Sequence, residues 1–205
     1  MKLVVIGGGP GGYVAAVQAA ILGADVTVIE EKCVGGTCLN VGCIPTKALL
    51  ACSDVLEMSK NSSKFGINLG GEAKVDFDFI MKRKNKIVSQ LVKGIEAIFK
   101  YRGVKIIKGS GKLLNSRNIE VTREDGSKEI VCGDKIVLAA GSVPVTPKFF
   151  KYDGKKVITS DEVLNLNKLP KSMILVGGGP IGCEIGYFLH SMGTEVKVVE
   201  MLPHL

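Results

Sequence analysis

The feature that most constrains the fold of this chain is a repeat. A short apolar run, Leu3-Val4-Val5-Ile6, ends at Gly7-Gly8-Gly9-Pro10. Small and apolar residues follow over 11–22, Gly23 closes that stretch, and a second apolar run from Val26 to Ile29 ends at Glu30. The same order returns as Ile174 to Val176, Gly177-Gly178-Gly179-Pro180, a stretch reaching about Met192, Gly193, and Val196 to Val199 ending at Glu200. The copies align without a gap at an offset of 170, so Gly7 answers to Gly177, Gly12 to Gly182, Gly23 to Gly193 and Glu30 to Glu200. Short apolar runs bounded by glycine read as buried parallel strands. A glycine just past a helical stretch reads as its stop. Each copy therefore predicts strand–turn–helix–strand, and the chain is of the α/β class.

The turn in each copy has the form of a nucleotide fingerprint, Gly7-x-Gly9-x-x-Gly12 with Glu30 18 positions on, and Gly177-x-Gly179-x-x-Gly182 with Glu200. The first glycine permits the tight exit from the strand, the second lets backbone approach a pyrophosphate, and the third lets the helix pack on the sheet. The helix N-terminus offers free N–H groups to phosphates, and the acid can bind a ribose diol. Ile181, between the glycines of the second turn, joins them as a candidate contact. A carboxylate at Glu200 would repel a 2′-phosphate, which points to NAD over NADP there. Two such turns predict two dinucleotide sites.

Between the repeats, 43–60 reads as a helix with Leu49, Leu50, Val55 and Leu56 apolar, and 76–101 as a longer amphipathic one carrying Phe79, Ile80, Ile87, Leu91, Ile95, Ile98 and Phe99. Residues 104–132 alternate short apolar segments with Gly109, Gly111, Asn115, Asn118 and Asp125-Gly126, the pattern of an antiparallel meander. Ile136 to Ala140 returns to a buried strand, and the domain boundary is placed near residue 150. The net charge of +7 raises nucleic acid as a partner, but the lysines are dispersed apart from Lys82, Arg83, Lys84 and Lys86. Aromatic residues are few, with 4 Tyr, 7 Phe and no Trp. That argues against a nucleic-acid stripe. No run of about 18 apolar residues stands out, so no membrane span is expected, and the chain reads as cytoplasmic.

The most informative stretch is Gly35-Gly36-Thr37-Cys38-Leu39-Asn40-Val41-Gly42-Cys43-Ile44-Pro45-Thr46-Lys47. Two cysteines five positions apart would have Cα atoms about 8.7 Å apart in a regular helix, whereas a disulfide wants roughly 4.4–6.8 Å. A bond between them needs a distorted first turn, for which Gly42 supplies the freedom. Such a bond is readily reduced, and a helix N-terminus favours thiolate. Lys47 follows Cys43 at i+4, on the same helix face. The spacing does not suit zinc, so no metal is expected. Cys33, Cys52, Cys132 and Cys183 carry no assigned role.

The segment Gly36 to Lys47 closely resembles the redox-active segment of the flavin-dependent pyridine nucleotide–disulfide oxidoreductases, and within them the dihydrolipoamide dehydrogenase branch. Ala139-Ala140-Gly141-Ser142-x-Pro144 is similar to that family's second flavin-contact motif. The resemblance implies a Rossmann-like FAD-binding domain over 1–149, a parallel sheet with an antiparallel meander, then the first βαβ of a Rossmann-like NAD-binding domain over 150–205. It implies that FAD sits on the first fingerprint with Glu30 on its adenosine ribose, and that Gly36, Thr37, Lys47, Gly111, Ala140, Gly141 and Ser142 add contacts. Cys43 would be the thiol beside the flavin ring and Cys38 the one that exchanges with substrate, the two joined as a disulfide in the oxidised form. Glu184 would pair with Lys47. The implied relay carries electrons from dihydrolipoamide through the cysteines and FAD to NAD. The implied partners are the lipoyl group of a 2-oxo acid dehydrogenase or glycine cleavage complex and, in the intact protein, a second copy as homodimer.

The family's remaining NAD strands, later FAD motif and C-terminal domain with its His–Glu pair are not found in these residues. His190, within a predicted helix, and His204, near the end, do not match that motif. Weak or absent turnover by these residues alone is the expectation. Glutathione and mercuric reductases share the cysteine segment, and a flavin- or nucleotide-binding module without catalysis is the alternative from another class.

Overall fold

A strand buried on both faces must be paired on both edges or lie against a covering layer, and Val4, Val5, Val26, Val28 and Ile29 are buried almost completely. The computed structural model describes residues 1–203, so His204 lies outside the described residues. In chain order the elements are β1 (Lys2–Ile6), α1 (Pro10–Ile21), β2 (Asp25–Glu30), α2 (Gly36–Val41), α3 (Cys43–Lys60), α4 (Phe77–Arg102), β3 (Lys105–Lys108), β4 (Ser110–Leu113), β5 (Asn118–Thr122), β6 (Lys128–Cys132), β7 (Lys135–Leu138), α5 (Ser160–Val163), β8 (Ser172–Val176), α6 (Pro180–Ser191) and β9 (Glu195–Val199). They pack as two compact units of two segments each: Met1–Asn40 with Val88–Val143, and Val41–Ile87 with residues from Pro144 onward.

In the first unit four strands run in the order β3-β2-β1-β7, all parallel. Beside them β4, β5 and β6 form an antiparallel meander. Leu3, Val5, Ala16, Val26, Val28, Phe99 and Val104 form one core. On the other side of the sheet Val4, Ile6 and Ile29 meet Ile119, Val121 and Val131 of the meander. The unit is α/β with a parallel sheet and a meander, as expected. The meander is shorter than the sequence suggested: Lys105–Lys108 pairs in parallel with β2 and belongs to the main sheet. Glycine and asparagine spacing marks turns, but it does not say which sheet a segment joins. β7 ends at Leu138, two residues before the expected end.

The second unit repeats β1-α1-β2 as β8-α6-β9, with the same register. Lys2 lies opposite Asp25 and Ser172 opposite Glu195. Both helices end in the same way. Gly23 N–H donates to Ala20 O (3.0 Å) and Ala24 N–H to Ala19 O (3.0 Å), while Gly193 N–H donates to His190 O (2.9 Å) and Thr194 N–H to Leu189 O (3.0 Å). This pair of bonds needs a left-handed residue, which glycine provides. Around α6 pack Leu49 and Leu56 of α3 and Val163 of α5.

Several sequence expectations are corrected by packing. Val55, Phe79, Leu91 and Ile98, apolar positions at helical spacing, are exposed; spacing picks a face, but tertiary contacts decide how much of it is covered. Lys84, one of the basic cluster Lys82, Arg83, Lys84 and Lys86, is buried, and its Nζ donates to Leu164 O. Burial lowers its pKa from the ordinary lysine value. By length and composition alone, residues 36–60 are long and apolar enough to cross a membrane, with a third of their most apolar 18-residue window buried in the fold, but the break at Gly42 divides them between α2 and α3.

Two glycines give opposite predictions. A Cβ on Gly12 would lie 1.8 Å from the carbonyl oxygen of Gly7, so Gly12→Ala is expected to cost more than about 3 kcal/mol or to prevent folding. A Cβ on Gly94, within α4, would meet nothing, so Gly94→Ala is expected to stabilise by roughly 0.5–1 kcal/mol. Urea unfolding of the two variants checks both.

Candidate functional site

In each unit the glycine turn is held by the acid that ends the next strand. Gly8 N–H donates to Glu30 Oε2 (2.6 Å) and Lys32 N–H to Glu30 Oε1 (2.8 Å). In the second unit Gly178 N–H donates to Glu200 Oε2 (2.7 Å), and Met201 and Leu202 N–H donate to Oε1 (2.7 and 2.8 Å). The bonds from Leu202 and Gly178, chiefly, hold the Glu200 carboxyl below the usual carboxylate range. Gly7 and Gly177 occupy the left-handed region at φ 99° and 109°. Gly7 could take no side chain for a second reason, since its Cβ would fall 2.1 Å from Ala139 O.

The first turn lies at the carboxyl end of β1, where the chain passes to β2 on one side and β7 on the other. That is the switch point at which α/β sheets bind ligands. Ala140, Gly141 and Ser142 follow β7 at this end as an exposed loop. Gly35 N–H donates to Gly8 O (2.8 Å), which brings the cysteine segment over the turn. A Cβ on Gly9 would have only Gly36 Cα near it, at 3.6 Å. Backbone at Gly9 is therefore open to an incoming group, and Gly36 borders the opening. A Cβ on Gly179 would meet nothing within 4 Å. The donor sets and open middle glycines of both turns fit a pyrophosphate with a ribose on the acid. Ile181 is exposed at the start of α6. Gly111 lies on β4, where a Cβ would press on Ile6 and Ile29. Thr37 is exposed on α2.

The cysteine segment divides into two helices. Cys38 is half-buried on α2, and Cys43 is the exposed first residue of α3. Between them Gly42 has φ −142° and ψ −116°, so the helix is broken where the sequence asked for distortion. Cys43 is a thiol in this structure. The two residues stand on different helices, on either side of that break. Thr46 Oγ1 donates to Gly42 O (2.7 Å), tying the break to the first turn of α3.

Lys47 Nζ donates to Glu184 Oε1, so the expected pair is formed, within the second unit. Its side chains are 59% and 35% exposed, and such pairs contribute about 0–1 kcal/mol. Stability does not explain it. It joins the helix that starts at Cys43 to the helix that starts at the second glycine turn.

Sequence reading missed Gly8 and Gly178, whose N–H groups hold the acids. It also missed Asn40, whose Nδ2 donates to Val34 O (3.1 Å) and Gly36 O (2.9 Å). Asn40 stands four residues after Gly36, a spacing that could have marked it as a brace of the Gly35-Gly36 bend.

The model of the family described as pyridine nucleotide-disulphide oxidoreductase matches residues 1–205. The chain belongs to that family. It is similar to dihydrolipoyl dehydrogenase of Bacillus subtilis, 41% identical over 206 residues that cover 100% of this chain and 45% of the relative. It is also similar to the mitochondrial dihydrolipoyl dehydrogenase of Dictyostelium discoideum, 44% identical over 200 residues that cover 97% of the chain and 41% of the relative. The crystal structure of LpdA from Mycobacterium tuberculosis superposes with a TM-score of 0.88 at 27% identity, over 100% of this chain and 45% of that one. The chain spans a little under half the length of these relatives.

The clamp on the second turn makes a pH prediction. Folding lowers the Glu200 pKa, so the stability it adds is complete above the unfolded value of about 4.3 and is lost as pH falls through the folded value below it. Thermal melts should show Glu200→Gln less stable than wild type at pH 7, with the gap closing in acid. A gap that persists undiminished at pH 3 would contradict the clamp.

Proposed function

We propose that this chain forms the flavin and disulfide portion of a dihydrolipoamide dehydrogenase, in which electrons pass from dihydrolipoamide through Cys38 and Cys43 to FAD and then to NAD. The observation that carries the reading is the Lys47–Glu184 pair, an exposed contact that connects a redox-capable cysteine helix to a nucleotide turn.

Residues 1–149 would hold FAD, with Gly7, Gly9 and Gly12 around its pyrophosphate and Glu30 on its ribose. Residues 150–205 would begin the NAD domain, with Gly177, Gly179, Ile181 and Gly182 at the pyrophosphate and Glu200 at the ribose. Gly36, Thr37, Gly111, Ala140, Gly141 and Ser142 would complete the flavin contacts. Bound FAD would supply two-electron chemistry between a dithiol and a nicotinamide.

The chain's own part is thiol exchange and placement. Starting from the Cys38–Cys43 disulfide, one thiolate of dihydrolipoamide attacks Cys38 and Cys43 leaves as thiolate. The second substrate thiol then displaces Cys38, closing the substrate disulfide and leaving two cysteine thiols that carry the two electrons, which bound FAD would accept as the cysteine disulfide re-forms. Lys47, one turn past Cys43, brings a cation to the helix face that starts at the thiol, and Glu184, bonded to that cation, offsets part of its charge. General acid–base work on the exchanging thiols needs a group that His190, on α6, does not provide by position; the relatives' remaining length is where we place it. The lipoyl partner, the homodimer and a cytoplasmic location belong to this proposal.

Two measurements test it. Flavin added to wild type should give a long-wavelength thiolate-to-flavin absorbance after dithiol reduction, and Cys43→Ser should abolish that band while leaving flavin binding intact. A non-catalytic binding module would give identical spectra for both. In equilibrium binding, NAD should be preferred over NADP by about ten-fold or more, equivalent to about 1.4 kcal/mol, and Glu200→Gln should narrow the preference. Equal affinity in wild type would remove the NAD assignment.

A further inference from the structure

The Lys47–Glu184 pair is too exposed to hold its own geometry. Two long side chains at the surface lose rotamer freedom when they pair, and solvent screens them. Yet α3 and α6 meet in a defined register. Ten residues past Lys47, Glu57 Oε2 accepts a hydrogen bond from Tyr187 Oη at 2.6 Å, and Tyr187 is one turn past Glu184 on α6. Between the helices Ser191 Oγ donates to Ser53 Oγ (2.7 Å), with Ser53 fully buried. Leu49, Leu56, Ile185, Phe188 and Leu189 fill the rest of the interface.

The serine contact lies in the buried seam and is a matter of packing. The tyrosine contact differs. It lies at the surface, on the turn next to Glu184, and it is a short bond from a phenol to a carboxylate, a stronger class than a neutral pair. Glu57, with Asp54 on the same helix, raises the Tyr187 pKa, so the phenol keeps its proton and remains a donor. The titratable side chains on these helices are Cys43, Lys47, Cys52, Asp54, Glu57 and Lys60 of α3 and Cys183, Glu184, Tyr187 and His190 of α6.

We propose that Tyr187 and Glu57 are positioning residues: their bond sets the rotation of α6 against α3 so that Glu184 stays on Lys47, one turn from Cys43. They touch neither substrate nor cofactor and act through Lys47. This rests on the proposed function in one respect, that Lys47 matters to the chemistry of Cys43. The effect on Cys43 needs no flavin, however, and can be read without it.

The test is the rate at which each cysteine of the 205-residue chain is alkylated by iodoacetamide at fixed pH, followed peptide by peptide by mass spectrometry without added flavin. With Glu184 displaced, the Lys47 ammonium is no longer offset and favours the thiolate of Cys43. Tyr187→Phe should therefore speed Cys43 by about two- to five-fold, the range an exposed ion pair can move. Glu57→Gln should act in the same direction, and Glu184→Gln at least as strongly. Tyr187→Phe placed on Glu184→Gln should add nothing, because its effect passes through Glu184. Cys52, half-buried on α3, serves as a monitor of helix loosening, and Cys132, exposed on β6, as a reference.

The proposal is overturned if Tyr187→Phe and Glu57→Gln leave Cys43 at the wild-type rate. It is equally overturned if Tyr187→Phe speeds Cys43 as much in the Glu184→Gln background as alone, or if Cys52 accelerates in step with Cys43. Loss of the flavin band with this coupling intact would count against the proposed function alone.

Discussion

The structure depends on one close approach. In each repeat the helix after the glycine turn sits so tightly on the turn that a Cβ at its third residue would fall on a carbonyl oxygen, 1.8 Å away at Gly12 and 2.1 Å at Gly182. That contact fixes how each helix leaves its strand. It also directs the turn's N–H groups to the acid at the end of the neighbouring strand, Glu30 or Glu200. Strand register, helix packing and the open approach to the middle glycine follow from the same geometry. A side chain at the third position would disturb the fold before it disturbed any ligand.

The two turns are built alike and surrounded differently. At the first, Gly35 N–H closes on Gly8 O and Gly36 stands beside Gly9. At the second, Gly178 O accepts from the Cys183 thiol at 3.1 Å, and a Cβ on Gly179 would meet nothing within 4 Å among the described residues. The first turn is partly covered by Gly35 and Gly36. Position 14 of the first copy is Val14, whereas its counterpart is Glu184, which serves Lys47. One supersecondary unit has thus been given two surroundings, and differences between the copies, Gly11 against Ile181 and Val14 against Glu184 among them, fall on the helix while the three fingerprint glycines are kept.

Much of this was legible beforehand because the repeat carries its own check. Agreement at Gly7, Gly12, Gly23 and Glu30 with their partners 170 positions on left little freedom in the βαβ units, and the observed registers match between the copies. The expected distortion near Gly42 was legible too, since two cysteines five apart cannot meet across a regular helix. Less was legible where burial decides. Phe79 and Ile80 are adjacent apolar residues on one helix, and only packing leaves the first exposed and brings the second against the core. Lys84 looks like its neighbours Lys82 and Lys86, and only the placement of Leu164 O makes it an interior residue. Lys105–Lys108 has the composition of a meander strand, and only its pairing with β2 puts it in the parallel sheet.

By itself the sequence determined the local conformations: where glycine must permit a turn, where a strand must be buried, where an acid lies within reach of a backbone amide. These are short-range demands of sterics and hydrogen bonding, and residue type suffices to state them. Which helix lies against which was decided by tertiary structure. Glu57 and Tyr187 are 130 positions apart, and nothing in their types announces a bond between them. They meet because apolar side chains of α3 and α6 exclude water along a shared seam, and that requirement is satisfied by the whole interface rather than by any one residue.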